Sequence, residues 1–361
     1  MQTAKSSISS ARHGPNSRLH AVASRKYRYY FGHFSGRGKI DAMMWFTVAL
    51  AGIAALTGFG EVMASGAGQG GPAATVSKPW LIAHRGASAY APENTVPAFQ
   101  LAADQHAAFV EFDLQLTKDR QIVCLHDESL ERTTDVEDVF PDRFRTVPGG
   151  GGAPTRRWLL ADFTLAELRT LDAGSWFGPS FRGTRIPTFA ETIDSLRGRS
   201  GLFIELKAPE KYQGIERLIL AELKAKGLDQ PGANPRTPVL LQSFTASSLQ
   251  ILAGTGTKLP VHLLVSAKDA QQWLTPEGLS RVKAFASGLS PEKTIVKDHA
   301  DGIARARQMG LLITPYTFRA SAVTGFPDVR AEMAHYLDTL SVDGVITDNP
   351  DQMPARPSTP R

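Results

Sequence analysis

From residue 79 onward, short apolar runs recur with helical patterns between them, and this alternation leaves the chain few architectures. The runs cover 80–83, 108–113, 121–125, 202–206, 239–242, 260–264, 311–314 and 344–347. Helical patterns at 95–106, 164–171, 188–196, 214–226, 246–253, 300–309 and 328–340 separate many of them. Strands alternating with helices of this size pair in parallel, because each helix returns the chain across the sheet. Eight such strands close naturally into a (β/α)8 TIM barrel, an α/β fold of about 250 residues. A long irregular stretch at 135–163, with four consecutive glycines at 149–152, interrupts the pattern. It reads as a flexible loop inserted after the third strand, a lid or binding insert. The glycines are no phosphate loop, since no Gly-Lys-Ser/Thr and no helix signal follow them.

At 361 residues the chain has room for one barrel and an N-terminal extension. Residues 1–41 form a basic, Ser-rich tail without apolar periodicity, expected to be disordered. Eight of the chain's 40 Lys and Arg fall within residues 1–42 against a single acid, Asp41, so the remainder is weakly acidic. The body lacks a basic stripe with interleaved aromatics, which argues against a nucleic-acid partner. Residues 42–64 read as a secretory signal with cleavage after Ala64, or as a membrane anchor through 42–60. Either outcome puts the body outside the cytoplasm. A Gly/Ala-rich linker (65–78), the barrel (79–354) and a short disordered tail (355–361) complete the expected organisation. The lone cysteine, Cys124, lies in an apolar run and reads as a small buried hydrophobe. No sequence feature specifies an oligomeric state.

The chemistry concentrates in residues 81–134. His84 ends the first apolar run and His126 the third. Glu111 and Asp113, one residue apart on a run between them, point to the same face of a strand while Phe112 points to the other. Two acids on one face of an apolar strand repel unless a cation lies between them, and a hard divalent ion such as Ca²⁺ or Mg²⁺ takes carboxylate oxygens. Glu205 and Lys207 share a face by the same alternation. Barrel enzymes build their sites at the C-terminal strand ends, so these groups are expected at one mouth.

The segments HRGAS, PENT, EFDLQLTKD, VCLHDESLERTTD, IELK and DGVITDNPD, in this order between residues 78 and 353, resemble the glycerophosphodiester phosphodiesterase family. The stretch TDVEDVFPDR followed by DFTLAELRTLDAG is similar to its periplasmic, calcium-using branch. TPYTFR stands where short cytosolic members carry a tryptophan. The resemblance implies a TIM barrel that hydrolyses glycerophosphodiesters to sn-glycerol 3-phosphate and an alcohol. His84 and His126 would be the acid–base pair. Glu111, Asp113 and Glu205 would hold a divalent metal, Ca²⁺ ahead of Mg²⁺. Arg85 and Lys207 would meet the phosphate. Glu93 is assigned to the metal's surroundings or to a hydrogen bond with His84. Asn94 is either a helix cap or a site residue, and Asp127 is expected to orient its own loop. Trp176, Phe177, Tyr316, Phe318 and Arg319 either line the alcohol pocket or cover the barrel end. Thr347 and Asp348 either brace the mouth or make a turn. Two other functions stay open: a lysophospholipase D-type phosphodiesterase, and a catalytically inactive barrel used as a binding module.

Overall fold

The computed structural model describes residues 78–148 and 153–355. The expected basic tail, signal or anchor segment, most of the linker, the four glycines and nearly all of the C-terminal tail lie outside the described residues. Among the described residues, no helix is long and apolar enough to cross a membrane.

Eight parallel strands form the barrel: β1 (Trp80–Ala83), β2 (Phe109–Leu116), β6 (Gly201–Leu206), β7 (Val239–Ser243), β8 (Val261–Val265), β9 (Gly288–Pro291), β10 (Leu312–Ile313) and β11 (Gly344–Thr347). The ladder runs β10-β9-β8-β7-β6-β2-β1-β11. Its two ends meet where the Asp343 and Ile346 backbone N–H groups donate to the carbonyls of Ile313 (2.8 Å) and Pro315 (3.0 Å). Three strands stand apart. β3 (Ile122–Cys124) pairs antiparallel with β2, and β4 (Arg145–Pro148) with β5 (Pro154–Arg157) forms a separate hairpin.

Two of these strands correct the expected count. The run at 121–125 is a strand, but it is the return arm of a hairpin rather than the third barrel strand. Too few residues separate it from β2 for a parallel crossover, which takes a dozen or more. The barrel strand that completes the eight is β9, whose Gly-Leu-Ser-Pro sequence carries no apolar run. Its glycine is a packing requirement, since a Cβ on Gly288 would lie 2.4 Å from the His262 ring.

Period-two alternation divides the apolar side chains between two layers. Val110, Phe112 and Leu114 of β2 point outward and pack with Phe99 and Phe189 of the helices Val96–Asp104 and Phe189–Leu196. Ile82, Phe109, Phe203, Leu240 and Ile346 fill the barrel beneath the mouth. Packing the outer shell at roughly 25 cal/mol per Å² of buried apolar surface is the main force holding helices to sheet. The stretch expected to be an irregular loop is also more ordered than its composition suggests. It holds the helix Val136–Val139 and the β4/β5 hairpin. With the turns beyond, it builds a second core of Leu125, Leu130, Val136, Trp158, Phe163 and Leu171.

Inside the barrel, His262 is fully buried, with Nδ1 3.0 Å from the Thr314 hydroxyl and Nε2 without a partner among the described residues. Burial, with a smaller push from Lys78, holds its pKa at about 3. A histidine whose folded pKa is depressed binds fewer protons folded than unfolded. Its contribution to stability is therefore complete above pH 6.5 and is lost as pH falls from there toward 3. Between pH 7.5 and 4.5 this group alone costs roughly 3 kcal/mol. Urea unfolding at both pH values should show His262→Leu losing less stability on acidification than wild type by about that amount; parallel losses would refute this.

Candidate active site

The mouth is built from the first turn of the barrel outward. After β1, His84 donates its backbone N–H to the Thr347 carbonyl (2.8 Å), and the chain turns sharply through Arg85 (φ 54°) and Gly86 (φ 83°). Gly86 is needed twice over. Its φ is left-handed, and a Cβ would lie 2.6 Å from the Ala98 backbone, where the helix Val96–Asp104 passes. Arg85 carries the strain of a left-handed non-glycine, and its backbone N–H donates to Glu111 Oε2 at 2.8 Å.

Glu111 and Asp113 of β2 both point into the barrel, as expected from their spacing, and register puts Glu205 of β6 beside Asp113. Oxygens of these three buried carboxylates all lie within 4.8 Å of one another. Two oxygens on one calcium ion, each about 2.4 Å away, can be no more than about 4.8 Å apart. Asp113 Oδ1 is buried without a hydrogen-bond partner among the described residues, and the Lys207 ammonium stands 3.3 Å from it. Burial, reinforced by Asp113 and Glu205, pushes the Glu111 carboxyl well above its ordinary range. Burial also raises Glu205, with Lys207 opposing and Asp113 adding to the rise. For Asp113 burial acts upward too, but Lys207, Arg85 and His126 outweigh it and hold the carboxyl far below the usual range. Three acids thus meet with too little positive charge among them, and their hard oxygen donors can hold a divalent cation.

Both histidines are backed by carboxylates that the sequence did not single out for that task. Nδ1 of His84 lies 2.6 Å from Asp348 Oδ1, and Arg319 Nε donates to the other oxygen at 2.8 Å. Nδ1 of His126 lies 2.6 Å from Asp127 Oδ1. Each pairing leaves Nε2 to meet a ligand. Burial, then Arg85, holds the His84 pKa below its ordinary value, while Asp348 pulls it upward. Asp127, expected to orient only its own loop, orients the imidazole. His126 does not sit on a barrel strand end; the antiparallel β3 carries it back down to the level of Asp113, whose carbonyl accepts from the Leu125 N–H at 3.0 Å.

Glu93 bonds neither His84 nor the acid triad. It accepts from Arg85 Nη1 (2.9 Å) and, on both oxygens, from Arg132 (2.9 and 2.7 Å). Arg132 also bonds Asp127, so one chain of ion pairs joins His126 to Arg85. Asn94 caps no helix. Its amide spans Asp113, donating to Oδ2 (2.7 Å) and accepting from the backbone N–H (3.1 Å). Lys207 donates to Glu205 at 2.8 Å.

Two of the aromatic assignments are corrected. Phe318 is fully buried in the core against Tyr336 and cannot touch a ligand. Trp176 sits in a turn organised by Asp172, which accepts from Gly174, Ser175 and Gly183, and lines neither cavity at the mouth. Phe177 packs edge-on against Phe181 beside it. Tyr316, Thr317 and Arg319 do reach the inner cavity, about 120 Å³, together with His84, Arg85, His126, Lys207 and Gln242. A larger groove of about 760 Å³ lies alongside and shares His126, Glu205, Lys207 and Phe244 with it.

A parallel barrel that gathers a carboxylate triad, two carboxylate-backed imidazoles and two half-buried cations at its mouth is a TIM-barrel enzyme with a site suited to an anionic ester. The model of the Glycerophosphoryl diester phosphodiesterase family matches residues 84–352. A glycerophosphodiester phosphodiesterase of Bacillus subtilis (strain 168) is 33% identical over 278 residues, which is 75% of this chain and 83% of that protein. One of Caldanaerobacter subterraneus subsp. tengcongensis is 30% identical, covering 76% and 96%. Among solved structures, an Oleispira antarctica phosphodiesterase in complex with the product sn-glycerol-3-phosphate superposes with a TM-score of 0.58 at 28% identity, over 76% of this chain and 95% of that one. The chain belongs to the glycerophosphodiester phosphodiesterase family and is an enzyme of that kind.

Proposed function

We propose that the enzyme hydrolyses glycerophosphodiesters to sn-glycerol 3-phosphate and an alcohol such as choline, ethanolamine or glycerol, with His84 as base and His126 as acid. The observation that carries this reading is the pairing of both imidazoles with carboxylates across one cavity that also presents Arg85 and Lys207. His84, held below its ordinary pKa, is neutral at pH 7, donates Nδ1–H to Asp348 and offers Nε2 to the proton of the attacking oxygen. That oxygen is water's or, where a cyclic phosphate forms first and water opens it, that of the vicinal glycerol hydroxyl. His126 stands where the inner cavity meets the outer groove, so a proton on its Nε2 can pass to the departing alcohol. Arg85 and Lys207 offset charge on the phosphoryl oxygens as the bond to the alcohol breaks.

Glu111, Asp113 and Glu205 would hold the cation, Ca²⁺ by preference. When bound it supplies electrostatic stabilisation of the phosphoryl group. The basic residues followed by the uncharged stretch 42–60 support an extracytoplasmic enzyme, secreted or tethered. Intact-mass measurement of the exported chain would show loss of residues 1–64 if the signal is cleaved, and the full mass if it is an anchor.

Incubating the enzyme with glycerophosphocholine and, separately, lysophosphatidylcholine tests the reaction by ³¹P NMR. The expected outcome is sn-glycerol 3-phosphate and choline from the first, with slower turnover of the second. Phosphocholine as product, or faster turnover of the acylated diester, would overturn the assignment.

A further inference from the structure

Gln242 is a buried amide that the chemistry above does not use. It sits on β7 between Glu205 and His262 in register, is 1% exposed, and lines the inner cavity. Its Nε2 is 3.4 Å from Glu111 Oε1, while Oε1 is buried with no hydrogen-bond partner among the described residues. An unpaired buried carbonyl oxygen is costly to stability unless a ligand supplies a donor. Of the charged groups facing the same cavity, His84 and Arg319 share Asp348, Lys207 holds Glu205, Glu111 accepts from the Arg85 N–H, and Arg85 holds Glu93 through Nη1. Leu264 and Ile346 add apolar surface beside it. A small carbon chain bearing a neutral hydroxyl fits such a lining, with the hydroxyl donating to the open amide oxygen of Gln242.

We infer that Gln242 binds a hydroxyl of the glycerol moiety, so that the diester enters with its glycerophosphate end in the inner cavity and its alcohol in the outer groove. This rests on the proposed reaction for the identity of the ligand, and it makes Gln242 a substrate-binding and specificity residue. Selection by a buried polar group penalises a ligand lacking the matching hydroxyl, because the group is then left unpaired.

The test compares binding of sn-glycerol 3-phosphate with n-propyl phosphate, which lacks both hydroxyls, to the calcium-loaded full chain by calorimetry. Wild type should prefer sn-glycerol 3-phosphate by about 10-fold or more, and in Gln242→Met the preference should fall to about 3-fold or less. Should that variant unfold, Gln242→Asn, which draws the amide back by one carbon, must show the same fall. A preference that survives either folded variant, or its absence from wild type, overturns the inference. A wild type that shows the Gln242-dependent preference yet hydrolyses no glycerophosphodiester supports the binding assignment while removing the reaction. One that hydrolyses them while the variants keep the preference removes the binding assignment alone.

Discussion

Replacing His126 with alanine should lower kcat for glycerophosphocholine by about 100-fold or more, with a comparable loss for His84→Ala. Neither change opens a large hole in the core, since both side chains line the cavity and each touches one carboxylate. The proteins should therefore stay folded, and the loss should appear in kcat rather than in KM, as expected when proton transfer in the transition state is removed. His84 also carries a pH signature. The folded pKa of His84 is lowered, so the imidazole stays neutral to a pH below 6.5, and the acid limb of the kcat/KM profile should lie below that value. Steady-state kinetics from pH 5 to 9 check both statements. Losses of only a few fold in both variants would remove His84 and His126 from the proton transfers.

The second large effect is expected at Glu111. Burial, Asp113 and Glu205 disfavour the charged form of its carboxyl, so a neutral amide in its place suits the triad when no cation is present. The amide of Glu111→Gln can still accept from the Arg85 N–H that now donates to Glu111 at 2.8 Å. In chelator the variant should melt at or above the wild-type temperature. A cation at 100 times its Kd stabilises wild type by about 2.7 kcal/mol, a rise in Tm of roughly 5 °C for a domain of this size. In Glu111→Gln that rise should shrink by at least about half, because one of three carboxylate ligands is gone. Thermal melts with and without Ca²⁺ measure both numbers. A variant that melts far lower in chelator would instead make Glu111 a structural partner of Arg85.

How much of this was legible beforehand depends on the range of the interaction. The shared face of Glu111 and Asp113 follows from strand alternation alone, and the parallel barrel from strands alternating with helices. The hairpin β2/β3 was also encoded, in the short spacing between the two runs, but an apolar run by itself does not state which direction its strand travels. β9 carries no apolar signature because a buried histidine on the neighbouring strand forces glycine where an apolar residue would mark it. The Asp348–His84 contact joins residues 264 positions apart, and no local pattern distinguishes an aspartate that braces an imidazole from one that makes a turn. Phe318 and Tyr316 looked alike as aromatic groups after a strand. Only the packing on Tyr336 shows that the first faces the core, while the second opens on the cavity. Likewise the 135–163 stretch reads as polar and irregular, because its core residues are spaced among short turns rather than in a regular period.

The most direct test of the account is turnover of glycerophosphocholine by protein stripped with EDTA and freed of chelator, before and after divalent cation is restored. A triad that holds a functional cation predicts negligible release of sn-glycerol 3-phosphate from the stripped enzyme and recovery on adding Ca²⁺, with Mg²⁺ less effective. Full turnover by protein whose metal content has been measured as zero would contradict it.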